Sequence, residues 1–140
     1  MTSENRKYPA LLSLAAFGDL ATGVLVSTQK ENKIPFAIKR VFWIQQVPPA
    51  FKRGNHAGHR TEEIIVALQG RVEVHTESKA GRQSFVLDRP DEGLYIPAKC
   101  WISLNFSANA LLLCLASTDY DEKDYIYDYA EFQQICTSIA

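Results

Sequence analysis

The sequence predicts an all-β protein, an antiparallel jelly roll or small β-barrel with one short C-terminal helix. Three observations lead there. Short β-type runs recur along most of the chain, glycines and prolines fall between them as punctuation, and the pattern changes near the end, where Tyr129 to Ile139 reads as a helix. The 140 residues, 46% hydrophobic and 22% charged, suit a single globular domain able to bury its own core.

The elements follow in order. Arg6 and Lys7 ahead of the apolar stretch Ala10 to Phe17 give it a signal-peptide look, but the stretch is short and Pro9 opens it, so it reads as a buried strand. Val24 to Thr28 follows Gly23 as a second run. Ala37 to Ile44 is rich in β-branched and aromatic residues and is broken by Pro48-Pro49. Ile64 to Leu68 is continuously apolar, the mark of a buried strand, and Gly70 ends it. Arg71 to His75 alternates, with Val72 and Val74 on one face. A turn over Ser78–Gly81 leads to Ser84–Leu87, and Gly93–Pro97 and Leu111–Ala116 complete the set.

Charge and cysteine content narrow the function classes. Fifteen Lys and Arg against sixteen Asp and Glu leave no basic excess for nucleic acid or an anionic membrane. No apolar run approaches the ~20 residues that cross a bilayer. Cys100, Cys114 and Cys136 are scattered with no CxxC, which argues against a disulfide framework or a zinc site and for the cytoplasm.

Chemistry concentrates in Lys52 to Arg60, which holds His56, His59 and three cations just before the buried strand. Strand alternation places His56 and Gly58 on one face and His59 on the other, unless a bulge at Gly58 re-aims it. A histidine facing a cavity can accept and donate protons near neutral pH; the competing reading is a solvated polar turn. A metal site would draw on His56, His59 and Glu62 or Glu63, but the remaining histidine, His75, lies in a separate alternating strand beside Glu73 and Glu77, so no metal is expected. Tyr95 and Trp101 are either core packing or flat faces for a base or sugar ring.

Several of these segments together resemble a known family. Ile34 to Arg40, Arg53-Gly54-Asn55-His56-Ala57, Arg89-Pro90, Gly93 to Pro97 with Trp101, Leu115-Ala116-Ser117 and Tyr120 to Ile126 occur in the order found in the nucleoside-diphosphate-sugar 3,4-ketoisomerases of the cupin superfamily. The resemblance runs from about Ala10 to Phe132. It implies a cupin-type jelly roll and a metal-free, cofactor-free cytoplasmic enzyme acting on dTDP-4-keto-6-deoxyglucose on the way to surface-polysaccharide sugars. It also implies a homodimer exchanging the N-terminal region 8–28, with a core over 34–117 and a tail over 118–140. On this reading His56 is the principal proton carrier and His59 a possible second. Arg40, Arg53 and Asn55 bind substrate, the arginines at the pyrophosphate, and Tyr95 and Trp101 wall the base or sugar. The family pattern has two histidines one residue apart on one strand face; here the second position is Gly58. Phe42 and Trp43 replace a usual tyrosine pair. A non-catalytic nucleotide-sugar-binding module and a metal-dependent cupin remain the alternatives.

Overall fold

The computed structural model of the chain describes residues 5–29 and 34–138. The first strands are β1 (Ala10–Ser13), β2 (Ala15–Asp19), β3 (Gly23–Ser27), β4 (Arg40–Gln45), β5 (Lys52–Gly58) and β6 (Glu63–Gln69). They are followed by β7 (Val72–Ser78), β8 (Gly81–Leu87), β9 (Glu92–Ile96), β10 (Trp101–Phe106), β11 (Leu111–Ala116), β12 (Tyr125–Ile126) and the helix α1 (Tyr129–Ser138). All pairings are antiparallel, in two five-stranded sheets ordered β1-β9-β6-β11-β4 and β12-β5-β10-β7-β8, with β2 and β3 forming a separate hairpin. This is the predicted all-β jelly roll.

Alternation decides what each strand buries. From the first sheet Ile65, Ala67, Leu94, Leu112 and Cys114 meet Val72, Val74, Ile102 and Leu104 of the second in one continuous core. The apolar run in β6 is buried on its other face as well: Ile64 and Val66 pack with Tyr95, Leu115, Ile34 and Phe36 outside the first sheet. A third cluster joins Ala57, Ile126 and Phe132, which holds α1 against the outside of β5 and β10. Each large side chain so buried contributes roughly 1.5–3 kcal/mol relative to exposure.

Three expectations change. The strand expected over Ala37 to Ile44 begins at Arg40, because Lys39 contributes a single ladder bond, its N–H donating to the Ala116 carbonyl at 2.9 Å. The stretch Ala10 to Phe17 is two strands rather than one buried strand, and its residues are half-buried or exposed. β1 is an edge strand beside β9, while β2 leaves it for the hairpin. β10 went unrecognised, because Trp101 to Phe106 mixes Ser103 and Asn105 on the outer face with core residues on the inner one.

The tail is fastened by one buried carboxylate. Asp124 ends the 3-10 turn before β12 and accepts the backbone N–H groups of Arg60 (2.9 Å) and Thr61 (3.1 Å) and the Thr61 hydroxyl. Its carbonyl accepts the His59 N–H at 2.7 Å. The turn after β5 and the segment carrying Tyr125 are thereby one unit. Replacing Asp124 by Ala strands the buried Thr61 N–H, at roughly 1–3 kcal/mol, and removes its bonds to the Arg60 N–H and to the Thr61 hydroxyl, which keeps Thr118, each worth roughly 0.5–1.5 kcal/mol. We expect Asp124→Ala to lose about 2–4 kcal/mol in denaturant unfolding; a loss below ~1 kcal/mol would show that the network does not hold the tail.

Candidate active site

β5 carries the first functional side chains, and its shape is irregular. Ile102 pairs with His56 but Ser103 pairs with Gly54, so Asn55 is an extra residue opposite no partner. Gly54 and Asn55 have φ of +83° and +60°. A Cβ at Gly54 would stand 2.9 Å from the Ile102 carbonyl oxygen, so glycine is required there by both conformation and space. Arg53 and His56 are three residues apart and would face opposite ways in a regular strand. The bulge turns both toward the interior, and both line one cavity of about 280 Å³.

That cavity lies between the sheets. Phe42 and Ile44 enter from β4, Glu63 and Ile65 from β6, Leu112 and Cys114 from β11, and Tyr120, Tyr125 and Tyr127 from the tail. The His56 ring meets Tyr125 edge-on at 5.1 Å and Tyr127 at 6.0 Å between centroids. Burial, and secondarily the positive charge of Arg53, hold His56 below its ordinary pKa, so it is neutral at pH 7. Arg40 lies over the Phe42 and Tyr120 rings at 5.1 and 5.6 Å, and its Nη2 donates to the Tyr125 hydroxyl at 3.0 Å. Its Nε is buried with no hydrogen-bond partner among the described residues. Arg53 lines the cavity while remaining exposed, at its rim.

Glu62 and Glu63 separate by alternation. Glu62 points out, taking a bidentate ion pair from Arg6 (2.7 Å) and the Tyr95 hydroxyl (2.5 Å). Glu63 points in and is buried, which raises its pKa to about 7 against the partial opposition of Arg40.

The other sequence-predicted residues lie elsewhere. His59 follows the end of β5 and does not line the cavity; the bulge is at Asn55, not Gly58. The Asn55 amide donates to the Lys52 carbonyl at 3.2 Å, closing its own loop at an exposed position. Tyr95 and Trp101, expected as walls, face away from His56, because Leu94 and Ile96, and likewise Ile102 and Leu104, take the inward positions on their strands. Trp101 instead packs edge-on against Tyr129 at 5.2 Å. His75 is exposed on the outer face of β7, with Nδ1 2.9 Å from the Ser84 hydroxyl. Aromatic walls come from Tyr120, Tyr125 and Tyr127, whose motif was visible but whose role was not. Gly58 faces inward, where a Cβ would meet Asp124 Oδ2 at 3.2 Å and the Thr61 Cβ at 3.3 Å. The Asp124–Thr61 pair therefore leaves little room for a side chain at Gly58.

Comparison with known proteins agrees with this layout. The family model "FdtA: WxcM-like, C-terminal" matches residues 7–137. The chain belongs to the FdtA family. A TDP-4-oxo-6-deoxy-alpha-D-glucose-3,4-oxoisomerase of Aneurinibacillus thermoaerophilus is 36% identical over 118 residues, covering 84% of this chain and 85% of that protein. The crystal structure of a 3,4-ketoisomerase from Helicobacter canadensis superposes with a TM-score of 0.86 at 35% identity, covering 92% and 97% of the two chains. The sugar 3,4-ketoisomerase QdtA of Thermoanaerobacterium thermosaccharolyticum, solved with TDP, gives 0.87 at 30%, covering 93% and 95%. Within the FdtA family, then, this chain offers a cavity lined by one histidine, one buried carboxyl and one arginine, with Arg40 beside its aromatic wall.

Gly54→Ala tests the bulge. Forcing a Cβ into this backbone should cost about 1–3 kcal/mol and turn Arg53 out of the cavity. The expected result is a lowered thermal midpoint; a wild-type value would dismiss the bulge as the organising feature.

Proposed function

We propose that this chain is a sugar-nucleotide 3,4-ketoisomerase, moving the ketone of a TDP-4-keto-6-deoxyhexose from C4 to C3 through an enediol. The observation that carries the reading is a neutral, cavity-facing His56 with Arg53 at the cavity rim, in a chain that belongs to the FdtA family. Its imidazole takes the proton from C3, alpha to the ketone, and returns it to C4. Positioned proton transfer of this kind contributes roughly 10²–10⁴-fold to the rate. Arg40 and Arg53 hold the pyrophosphate, for which planar guanidinium donors are suited. The tyrosines of the tail offer flat faces to the base or sugar. Neither His59 nor Tyr95 nor Trp101 has a part in this scheme, and no metal or cofactor enters it.

The protein works as a homodimer in the cytoplasm. Phe17 and Leu25 of the hairpin and Val41 and Trp43 on the outer face of β4 are all more than half exposed, and exchange of region 8–28 with a second copy would cover apolar surface of this kind. Light scattering should give twice the chain mass; a monomer would remove the dimer from the reading. The three cysteines are unpaired, which fits a reducing compartment.

Incubation with TDP-4-keto-6-deoxyglucose, followed by NMR, should show the ketone migrating to C3, and His56→Asn should lose at least 100-fold in rate while retaining TDP binding. Arg53→Ala should bind TDP at least tenfold more weakly. An active His56→Asn protein would end the catalytic assignment, and a wild type that binds TDP without turnover would be a binding module instead.

A further inference from the structure

Ketone migration moves two protons, and His56 accounts for one. The C3 proton goes to C4, while the C3 hydroxyl proton must leave and a proton must arrive on O4. Phe42 faces the cavity without a hydroxyl, and Gly58 brings no side chain. The buried proton carrier that remains beside His56 is Glu63, which lines both the main cavity and the narrow crevice behind His56.

We propose that Glu63 carries protons between the two substrate oxygens while His56 carries the carbon proton, an assignment that rests on the ketoisomerase reading above. In the first half, His56 takes the proton from C3 as the Glu63 carboxylic acid protonates O4, giving the enediol. In the second, the Glu63 carboxylate takes the proton from the C3 hydroxyl as the imidazolium protonates C4. Both groups end as they began, and no oxidant or reductant is needed.

The placement is built into the sheet. On β11, Ala116 stands directly opposite Glu63 on one side and Arg40 on the other, so a small side chain separates the acid from the guanidinium. Burial pushes the carboxyl up and Arg40 pulls it back, leaving it near 7, where it can both give and take a proton. The other titratable groups around it are less suited. Burial raises the Tyr125 phenol further from neutrality, and its oxygen already accepts from Arg40. The Cys100 thiol is pushed up to about 12 and Cys114 is raised well above its ordinary value. Asp124 is committed to Arg60 and Thr61, and Arg53 lies at the exposed rim.

Glu63→Gln keeps the shape and removes the proton exchange. With TDP-4-keto-6-deoxyglucose as substrate, the wild-type kcat should fall as pH rises through about 7, as the starting acid form is lost. Glu63→Gln should bind TDP within twofold of wild type, lose at least 100-fold in kcat at pH 7, and lack that fall. A variant within threefold of wild type, with the pH limb intact, overturns the role of Glu63 and leaves the ketoisomerase reading standing. A wild type that binds TDP but does not turn over overturns both. Should the variant not fold, wild-type protein labelled with 13C at its glutamate carboxyls decides: one buried carboxyl titrating near 7 together with the kcat limb supports the role, and a kcat flat from pH 6 to 8 ends it.

Discussion

One extra residue in β5 sets the site. Because side chains alternate, two groups an odd number of positions apart cannot share a strand face unless the ladder is interrupted between them. Arg53 and His56 are such a pair, and the left-handed backbone at Gly54 and Asn55 supplies the interruption. The same device leaves Lys52 on the outer face of the barrel, so neighbouring cations are sent to opposite sides of one wall. The Asn55 amide folding back on the Lys52 carbonyl completes the loop locally, so the bulge does not lean on the rest of the chain for its shape.

Inside the cavity, burial and charge act against each other. Desolvation disfavours every charged form, so it keeps His56 neutral and favours the protonated carboxyl of Glu63. The Arg40 guanidinium lies against aromatic rings and the Tyr125 hydroxyl. A cation held this way remains available to an incoming anion, whereas a close ion pair with Glu63 would have consumed both groups. β11 runs between the two strands that carry them, with Ala116 opposite both.

The strands with simple periodicity were legible in the sequence. β7 alternates, β11 is a plain apolar run, and the turn before β8 and the helix α1 fall where glycine spacing and composition place them. The family motifs located His56, Arg40 and Arg53 in one site. What could not be read was facing. A bulge looks in sequence like a Gly-Asn turn, so the segment around His56 read as a regular strand, with a solvated polar turn as the competing reading and Gly58 as the position weighed for a bulge. Tyr95 and Trp101 were assigned to the ligand by chemical type, but each occupies the outward step of its strand, where the first packs under residues 34–36 and the second under α1. Glu62 and Glu63 are indistinguishable by composition, and one step of the pleat decides that the first ties down Arg6 and the second enters the cavity.

The wall of tyrosines comes from the last fifth of the chain. Tyr120, Tyr125 and Tyr127 reach the cavity only after every strand of both main sheets except β12 has been made, and Asp124 then reaches back some sixty residues to Arg60 and Thr61. During synthesis, which proceeds from the N-terminus, the jelly roll can therefore assemble before its binding site exists. A chain arrested before residue 120 would keep His56, Arg53 and Glu63 facing an open groove wetted by solvent. In that order of events the reactive centre is sheltered last, and the capacity to hold a reactive intermediate away from water belongs to finished molecules alone.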